Sequence, residues 1–285
     1  MDIRRVCVVG GGTMGNGIAH VFALKGFETT LVEAKKELAD KALATIAKNL
    51  ERQAAKNAIA PADRDAALSR LKTALSPAEA KGFHFAVEAV SERMDLKKQI
   101  FRELDAAAAP GAILATNTSS LPITELAAVV KDPSRVIGMH FMNPVPVMKL
   151  VELIRGLQTS DETYHAVHAL TLALGKTPAA ANDFPGFVSN RVLMPMINEA
   201  IFCLMEGVST KEDIDAIMKL GMAHPMGPLQ LADYIGLDVC LAIMNVLHDG
   251  FADSKYRPCP LLKQMVQAGR LGVKSGRGFY EYPAK

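Results

Sequence analysis

Two residues in this chain have the types and settings that proton transfer requires. His140 follows the apolar, β-like run Val136-Ile137-Gly138-Met139, and Glu152 interrupts a second such run, Leu150-Val151-Glu152-Leu153-Ile154. A carboxylate inside an apolar strand is unfavourable unless it is paired or hydrogen-bonded. A nearby imidazole would satisfy it, and the carboxylate in turn would fix the ring's tautomer and strengthen it as a base. Such a pair is suited to taking a proton from an alcohol and returning it in the reverse direction. A lone histidine is more often a satisfied core residue, and spacing alone leaves the distance between these two open. A third polar cluster, Thr116-Asn117-Thr118-Ser119-Ser120, follows the apolar run 112–115.

A cofactor signal stands at the other end of the chain. Gly10-Gly11-Gly12-Thr13-Met14-Gly15 fits G-x-G-x-x-G, directly after Val6-Cys7-Val8-Val9 and before the helix-like Ile18-Ala19-His20-Val21-Phe22-Ala23. In that context Gly10 permits a tight turn, Gly12 lets the backbone approach a pyrophosphate and Gly15 lets helix and sheet pack closely. The helix N-terminus, with the amides of Thr13 and Met14, faces the anion. Glu33 closes the next strand at the spacing expected of an acid that bonds a ribose 2′-hydroxyl, and its charge favours NAD over NADP. Lys35 and Lys36 nearby soften that preference.

The elements that must position these groups alternate. Strand-like runs at 3–9, 28–33, 85–90, 112–116, 135–140 and 149–154 are separated by segments of helical periodicity, the pattern of βαβ units around a mainly parallel sheet. A long Ala/Lys/Glu-rich stretch from 35 to 56, Pro61 and a further helical segment to 72 read as an inserted helical pair at about 36–72. After Gly186 apolar residues recur at helical spacing in 190–205, 211–220 and 229–247, so the expected fold is α/β, a Rossmann-type doubly wound sheet with a second, all-α C-terminal domain. Turn formers and Pro185 place the boundary there, giving domains 1–184 and 185–285.

Composition limits the alternatives. In 285 residues, 49% apolar and 22% charged, Lys+Arg 32 against Asp+Glu 30 leaves a formal charge of +2, with a mean hydropathy of +0.15. That balance excludes a disordered or collagen-like chain and gives no support to a nucleic-acid or polybasic membrane binder. Cys7, Cys203, Cys240 and Cys259 share no metal-like spacing, so neither a metal site nor a disulfide framework is expected. The N-terminal sequence enters a strand without a leader, and no apolar stretch approaches a membrane span. A soluble, cytoplasmic protein in a reducing compartment follows as the expectation.

Several motifs, in order along nearly the whole chain, carry a resemblance. They are Gly10-x-Gly12-x-x-Gly15, Glu88-Ala89-Val90-Ser91-Glu92, Asn117-Thr118-Ser119-Ser120, Gly138-Met139-His140-Phe141-Met142-Asn143-Pro144-Val145-Pro146, Leu150-Val151-Glu152, Pro185-Gly186-Phe187-Val188-Ser189-Asn190-Arg191, Pro225-Met226-Gly227-Pro228 and the closing Gly276-Arg277-Gly278-Phe279-Tyr280. The chain resembles the L-3-hydroxyacyl-CoA dehydrogenase family, most nearly its short bacterial 3-hydroxybutyryl-CoA members. The resemblance implies an NAD domain, a helical domain that mediates homodimerisation, and reversible oxidation of an (S)-3-hydroxyacyl-CoA. It also implies His140 as general acid/base, Glu152 as its orienting partner, and Ser119 and Asn190 on the substrate's reacting oxygens. Asn117 joins the cofactor-binding set, and Glu92, Lys97 and Asn143 match positions on its nicotinamide and ribose side. Glu33 departs from the more usual Asp, Met142 stands where Phe is common, and Phe184 where Ser or Thr is usual.

Lys48, Arg52 and Lys56 recur every four residues and form one helical stripe, either a solvated face or a contact for the phosphates of an acyl-CoA. The family places such contacts in this helix. Two rivals stay open at this stage: a related dehydrogenase of a free hydroxy or sugar acid of the L-gulonate type, and a non-catalytic dinucleotide-binding protein.

Overall fold

The computed structural model describes residues 2–283, so residues 1, 284 and 285, at the outer ends of the two expected domains, lie outside it. Two compact units divide between Asp183 and Phe184.

The first unit runs β1 (Arg5–Val9), α1 (Thr13–Leu24), β2 (Glu28–Val32), α2 (Lys36–Ala55), α3 (Pro61–Ser69), β3 (Leu71–Ala74), β4 (Phe85–Glu88), α4 (Met94–Ala107), β5 (Ile113–Thr116), α5 (Ile123–Ala127), β6 (Val136–Phe141), β7 (Leu150–Arg155), α6 (Asp161–Ala173) and β8 (Thr177–Asn182). Its sheet has the order β3-β2-β1-β4-β5-β6-β7-β8. Neighbours pair in parallel except β6 and β7. β4, β5 and β6 are buried along their whole length, which explains why they read as continuous rather than alternating apolar runs. The strand order reverses at β1, which pairs with both β2 and β4, and a crevice for ligands opens beyond the C-terminal ends of those strands.

Three expectations are corrected. Leu71 and Lys72 are not helical: they begin β3, a four-residue edge strand in which only Ala74 is buried, too short and too exposed to carry a period. The strand-like runs named from sequence omit β8, Thr-Pro-Ala-Ala-Ala-Asn. It is an edge strand, the position at which Pro178 is tolerated, and it pairs with β7. The helix expected over 229–247 is two, because Gly236, with φ of 103°, breaks it.

The second unit contains α7 (Ser189–Met205), α8 (Lys211–Leu220), α9 (Pro228–Ile235), α10 (Leu237–Phe251) and α11 (Pro260–Gln267), with α9 and α10 bent by 98°. Its core gathers Ile201, Leu229, Leu237, Leu247 and Leu262, all fully buried. Asp233 in α9 accepts the Phe279 and Tyr280 amides, both at 2.9 Å, and the Tyr282 hydroxyl at 3.1 Å, which secures the C-terminal segment. Among the described residues no single helix is long and apolar enough to cross a membrane.

Candidate active site

The glycine loop leaves β1 and enters α1. Gly10 has φ of +96°, which a residue with a side chain rarely adopts, and a Cβ at Gly15 would collide with the Gly10 carbonyl. A Cβ at Gly12 would meet nothing within 4 Å, so the space over the turn is open. α1 starts with neither a capping side chain nor an acidic residue in its first turn, which leaves its positive end available to a phosphate. The cradle therefore fits a dinucleotide. Glu33 lies just past β2, and its Oε1 accepts the Gly11 amide at 2.5 Å while Oε2 accepts that of Ala34 at 3.2 Å. The acid expected at the ribose thus sits against the glycine loop itself.

Beyond the ends of β4 and β5 lies a buried ionic cluster. Glu88, the last residue of β4, is fully buried, and Lys97 in the first turn of α4 is 1% exposed. The Lys97 ammonium donates to Glu88 Oε1 at 2.8 Å and Oε2 at 2.9 Å, and pairs with Glu92 Oε2 at 3.2 Å. Glu88 also accepts the Val90 amide at 2.6 Å and the Thr116 hydroxyl at 2.7 Å. Glu92 Oε1 accepts the Thr118 hydroxyl and the Ser119 amide, the latter at 2.9 Å. Burial pushes the Glu92 carboxyl up, but the Lys97 ammonium and the donors on Thr118 and Ser119 outweigh it and hold the group below the usual carboxylate range.

Lys97 and Glu92 were expected beside the cofactor. The Lys97 ammonium is engaged by Glu88 and Glu92, and Glu92 accepts from the loop that carries Ser119. Asn117 Oδ1 accepts the Phe141 amide at 2.9 Å, joining the end of β5 to that of β6. Asn143 is exposed in the loop that follows β6.

The same antiparallel pair of strands brings the titratable residues together. β6 and β7 are joined by the eight residues 142–149, too few for the crossover that a parallel pair requires, so β7 folds back antiparallel and His140 stands directly opposite Glu152. His140 Nδ1 lies 2.8 Å from Glu152 Oε2, with the residues 8% and 3% exposed. Asn190 is buried near the start of α7, in the second unit. Lys48, Arg52 and Lys56 are exposed at α2 and its C-terminal end, and Arg52 reaches Asn49 Oδ1 at 3.3 Å.

Glu88 is the buried partner of Lys97 to which sequence reasoning gave no task. The signal was present: a carboxylate after Phe85-Ala86-Val87 is as costly as one between Val151 and Leu153, and it too demands a partner.

A doubly wound sheet, a dinucleotide cradle at its switch point and a buried imidazole–carboxylate pair define a nicotinamide-linked oxidoreductase architecture. The sequence profile of the 3-hydroxyacyl-CoA dehydrogenase NAD binding domain matches residues 5–184, and that of the C-terminal domain matches residues 186–282. The chain belongs to the 3-hydroxyacyl-CoA dehydrogenase family. A probable 3-hydroxybutyryl-CoA dehydrogenase of Bacillus subtilis is 55% identical over 285 residues, covering 100% of this chain and 99% of the relative. A 3-hydroxybutyryl-CoA dehydrogenase of Bradyrhizobium diazoefficiens is 52% identical, covering 98% and 96%. The crystal structure of (S)-3-hydroxybutyryl-CoA dehydrogenase from Ralstonia eutropha superposes with a TM-score of 0.97 at 51% identity, covering 99% of this chain and 100% of that one.

Proposed function

We propose that this chain catalyses the reversible NAD-linked oxidation of a short-chain (S)-3-hydroxyacyl-CoA to the 3-ketoacyl-CoA, with His140 as the acid/base. The observation that carries the chemistry is the 2.8 Å contact between His140 Nδ1 and Glu152 Oε2 in a buried, cross-strand setting. The short-chain preference is supported by the names of the relatives, which are 3-hydroxybutyryl-CoA dehydrogenases at 52–55% identity.

Glu152 accepts the proton-bearing Nδ1 and leaves Nε2 as the lone-pair nitrogen, so the imidazole takes the substrate hydroxyl proton at Nε2. The buried carboxylate stabilises the imidazolium that results. Bound NAD would accept the hydride released from the carbinol carbon. Gly10, Gly12 and Gly15 with the amides of α1 would hold its pyrophosphate, and Glu33 would swing from the Gly11 amide toward its ribose. Ser119, whose amide Glu92 fixes, bonds the reacting oxygen. In the reverse direction His140 returns the proton to the carbonyl oxygen.

Exposed apolar side chains on the second unit, among them Val192 at 67%, Val208 at 69% and Leu220 at 86%, support a homodimer formed through that unit.

The test is NADH consumption with acetoacetyl-CoA, compared with NADPH and with free acetoacetate. His140→Ala is expected to lower kcat by about 10²–10⁴-fold with NADH binding retained. Equal turnover of free acetoacetate would move the reading to a hydroxy-acid dehydrogenase, and unchanged kcat in His140→Ala would remove the mechanism.

A further inference from the structure

The reaction proposed above needs Ser119 and His140 to meet one oxygen, yet they stand on different segments, a loop after β5 and the strand β6. The entry of that loop is fixed by Asn117, bonded to Phe141, and by Glu92, which accepts from Thr118, Ser119 and Ser120. Its exit, Leu121 and Pro122, leads into Ile123 and Thr124, and these are held by a residue 60 positions further along the chain than Ile123.

That residue is Asp183, which from sequence is one of the turn formers at the domain boundary. In the fold its backbone amide donates to the Arg155 carbonyl at the end of β7, at 3.0 Å, so its side chain is carried by the sheet. Both carboxylate oxygens are in use. Oδ1 accepts the Ile123 amide at 3.0 Å, and Oδ2 accepts the Thr124 amide at 2.7 Å and the Thr124 hydroxyl at 2.6 Å. The Thr124 hydroxyl oxygen in turn accepts the Leu157 amide, just past β7, at 3.0 Å. Hydrogen bonds to a carboxylate are shorter and roughly twice as strong as those between neutral groups.

The anchored residues also pack on the strands of the acid/base pair. Ile123 is fully buried. A Cβ at Gly138, two residues before His140, would lie 3.0 Å from Ile123 Cδ1, and one at Gly156, next after β7, would lie 3.3 Å from Ile123 Cγ2 and from the Thr124 amide nitrogen. Two glycines therefore let this segment sit directly on β6 and on the end of β7. Between Ser119 and Ile123 stand Ser120, Leu121 and Pro122, so a displacement of Ile123 passes to Ser119 and shifts it against the strand that holds His140.

We propose that Asp183 is a positioning residue for the reaction: it clamps the exit of the Ser119 loop to β6 and β7, so that the Ser119 hydroxyl and the His140 imidazole reach one substrate oxygen together. The inference rests on the reaction proposed above, and Asp183 acts in it through Ser119 rather than on the substrate.

Asp183→Asn keeps the shape of the side chain but offers a single acceptor oxygen, so one of the two amides loses its partner. The variant is expected to lower kcat for acetoacetyl-CoA reduction about tenfold or more, with NADH affinity within about twofold of wild type, since misplacing a reacting group by about 1 Å can cost about 10²-fold. Thr124→Val, which removes the hydroxyl at constant size, should give a smaller loss, and Thr124→Ser should return kcat to within about twofold of wild type. A double-mutant cycle separates positioning from a merely structural role. In a Ser119→Ala background Asp183→Asn should lower kcat by less than about twofold, while its effect on the thermal midpoint is the same in both backgrounds. Equal kcat factors in the two backgrounds, or a kcat within about twofold of wild type in Asp183→Asn, overturn the assignment. Should Asp183→Asn fail to fold, Thr124→Val run through the same cycle decides it. If the wild type does not turn over acetoacetyl-CoA, the reaction itself is wrong, and amide hydrogen exchange decides the clamp separately. Exchange at Ser119, Ser120 and Leu121 should then rise about tenfold or more in Asp183→Asn, and unchanged exchange at those amides overturns it.

Discussion

Lys97→Met is the most informative perturbation of the first unit, because it separates a buried positioning network from a surface salt bridge. The substitution keeps most of the aliphatic stem and removes the ammonium. It strands Glu88, which is fully buried and keeps only the Val90 amide at 2.6 Å and the Thr116 hydroxyl at 2.7 Å. Removing one partner of a buried ion pair is destabilising by about 3–5 kcal/mol. That is a large share of the about 5–15 kcal/mol by which a folded protein exceeds its unfolded state. For a unit of this size each kcal/mol shifts the midpoint by about 2–4 °C, so thermal unfolding followed by circular dichroism should move down by about 6–20 °C.

Two controls sharpen the result. The double variant Lys97→Met/Glu88→Gln removes the stranded charge and should recover about 0.5–3 kcal/mol of the loss. The deficit should persist in about 1 M salt, where exposed pairs are screened but this one is not. A single variant whose midpoint lies within about 2 °C of wild type would refute the claim that Lys97 neutralises a buried carboxylate. So would a double variant less stable than Lys97→Met.

Two further outcomes are expected. Gly15→Ala drives a methyl group into the Gly10 carbonyl, so NADH affinity measured by fluorescence titration should fall by about tenfold or more, and a variant that binds NADH normally would remove the pyrophosphate cradle from that turn. His20 is held below its ordinary range by burial and by the Lys176 ammonium, against a bond from Gln53 that raises it. Its unfolded state therefore takes up a proton more readily than the folded state, and the stability it contributes is present above the model-compound range near 6.5 and lost as the pH falls through the lower folded value. Denaturant titrations between neutral and mildly acidic pH should show that slope in the wild type and a flatter one in His20→Gln; identical slopes would contradict it.

Much of the site was legible in one dimension because its signals are local. A glycine turn after an apolar strand and before a helix, an acid at the end of the next strand, and a carboxylate lodged among Leu150, Val151, Leu153 and Ile154 all follow from backbone freedom and the energetics of burying charge. The alternation of elements and the change to helical spacing after Gly186 were equally readable, since periodicity reports which faces are buried. β3 and β8 were not, because they lie at or near the sheet's edges with mostly exposed side chains, and an edge strand is specified by its neighbour rather than by its own pattern.

Partnership across the chain was decided only by the fold. The residues of the acid/base pair could be named from sequence, but their 2.8 Å contact exists because β7 runs against β6 and sets residue 140 opposite 152. The Lys97 ammonium lies between Glu88 and Glu92 because α4 packs against the end of β4. His20 Nε2 meets Gln53 Oε1 at 3.1 Å although 33 positions separate them, because α1 packs against α2. Local chemistry is written in neighbouring residues, because turns, strand ends and buried charges are governed by what lies within a few positions. Distances between distant groups depend on which strand edges meet, and that depends on the packing of the whole sheet.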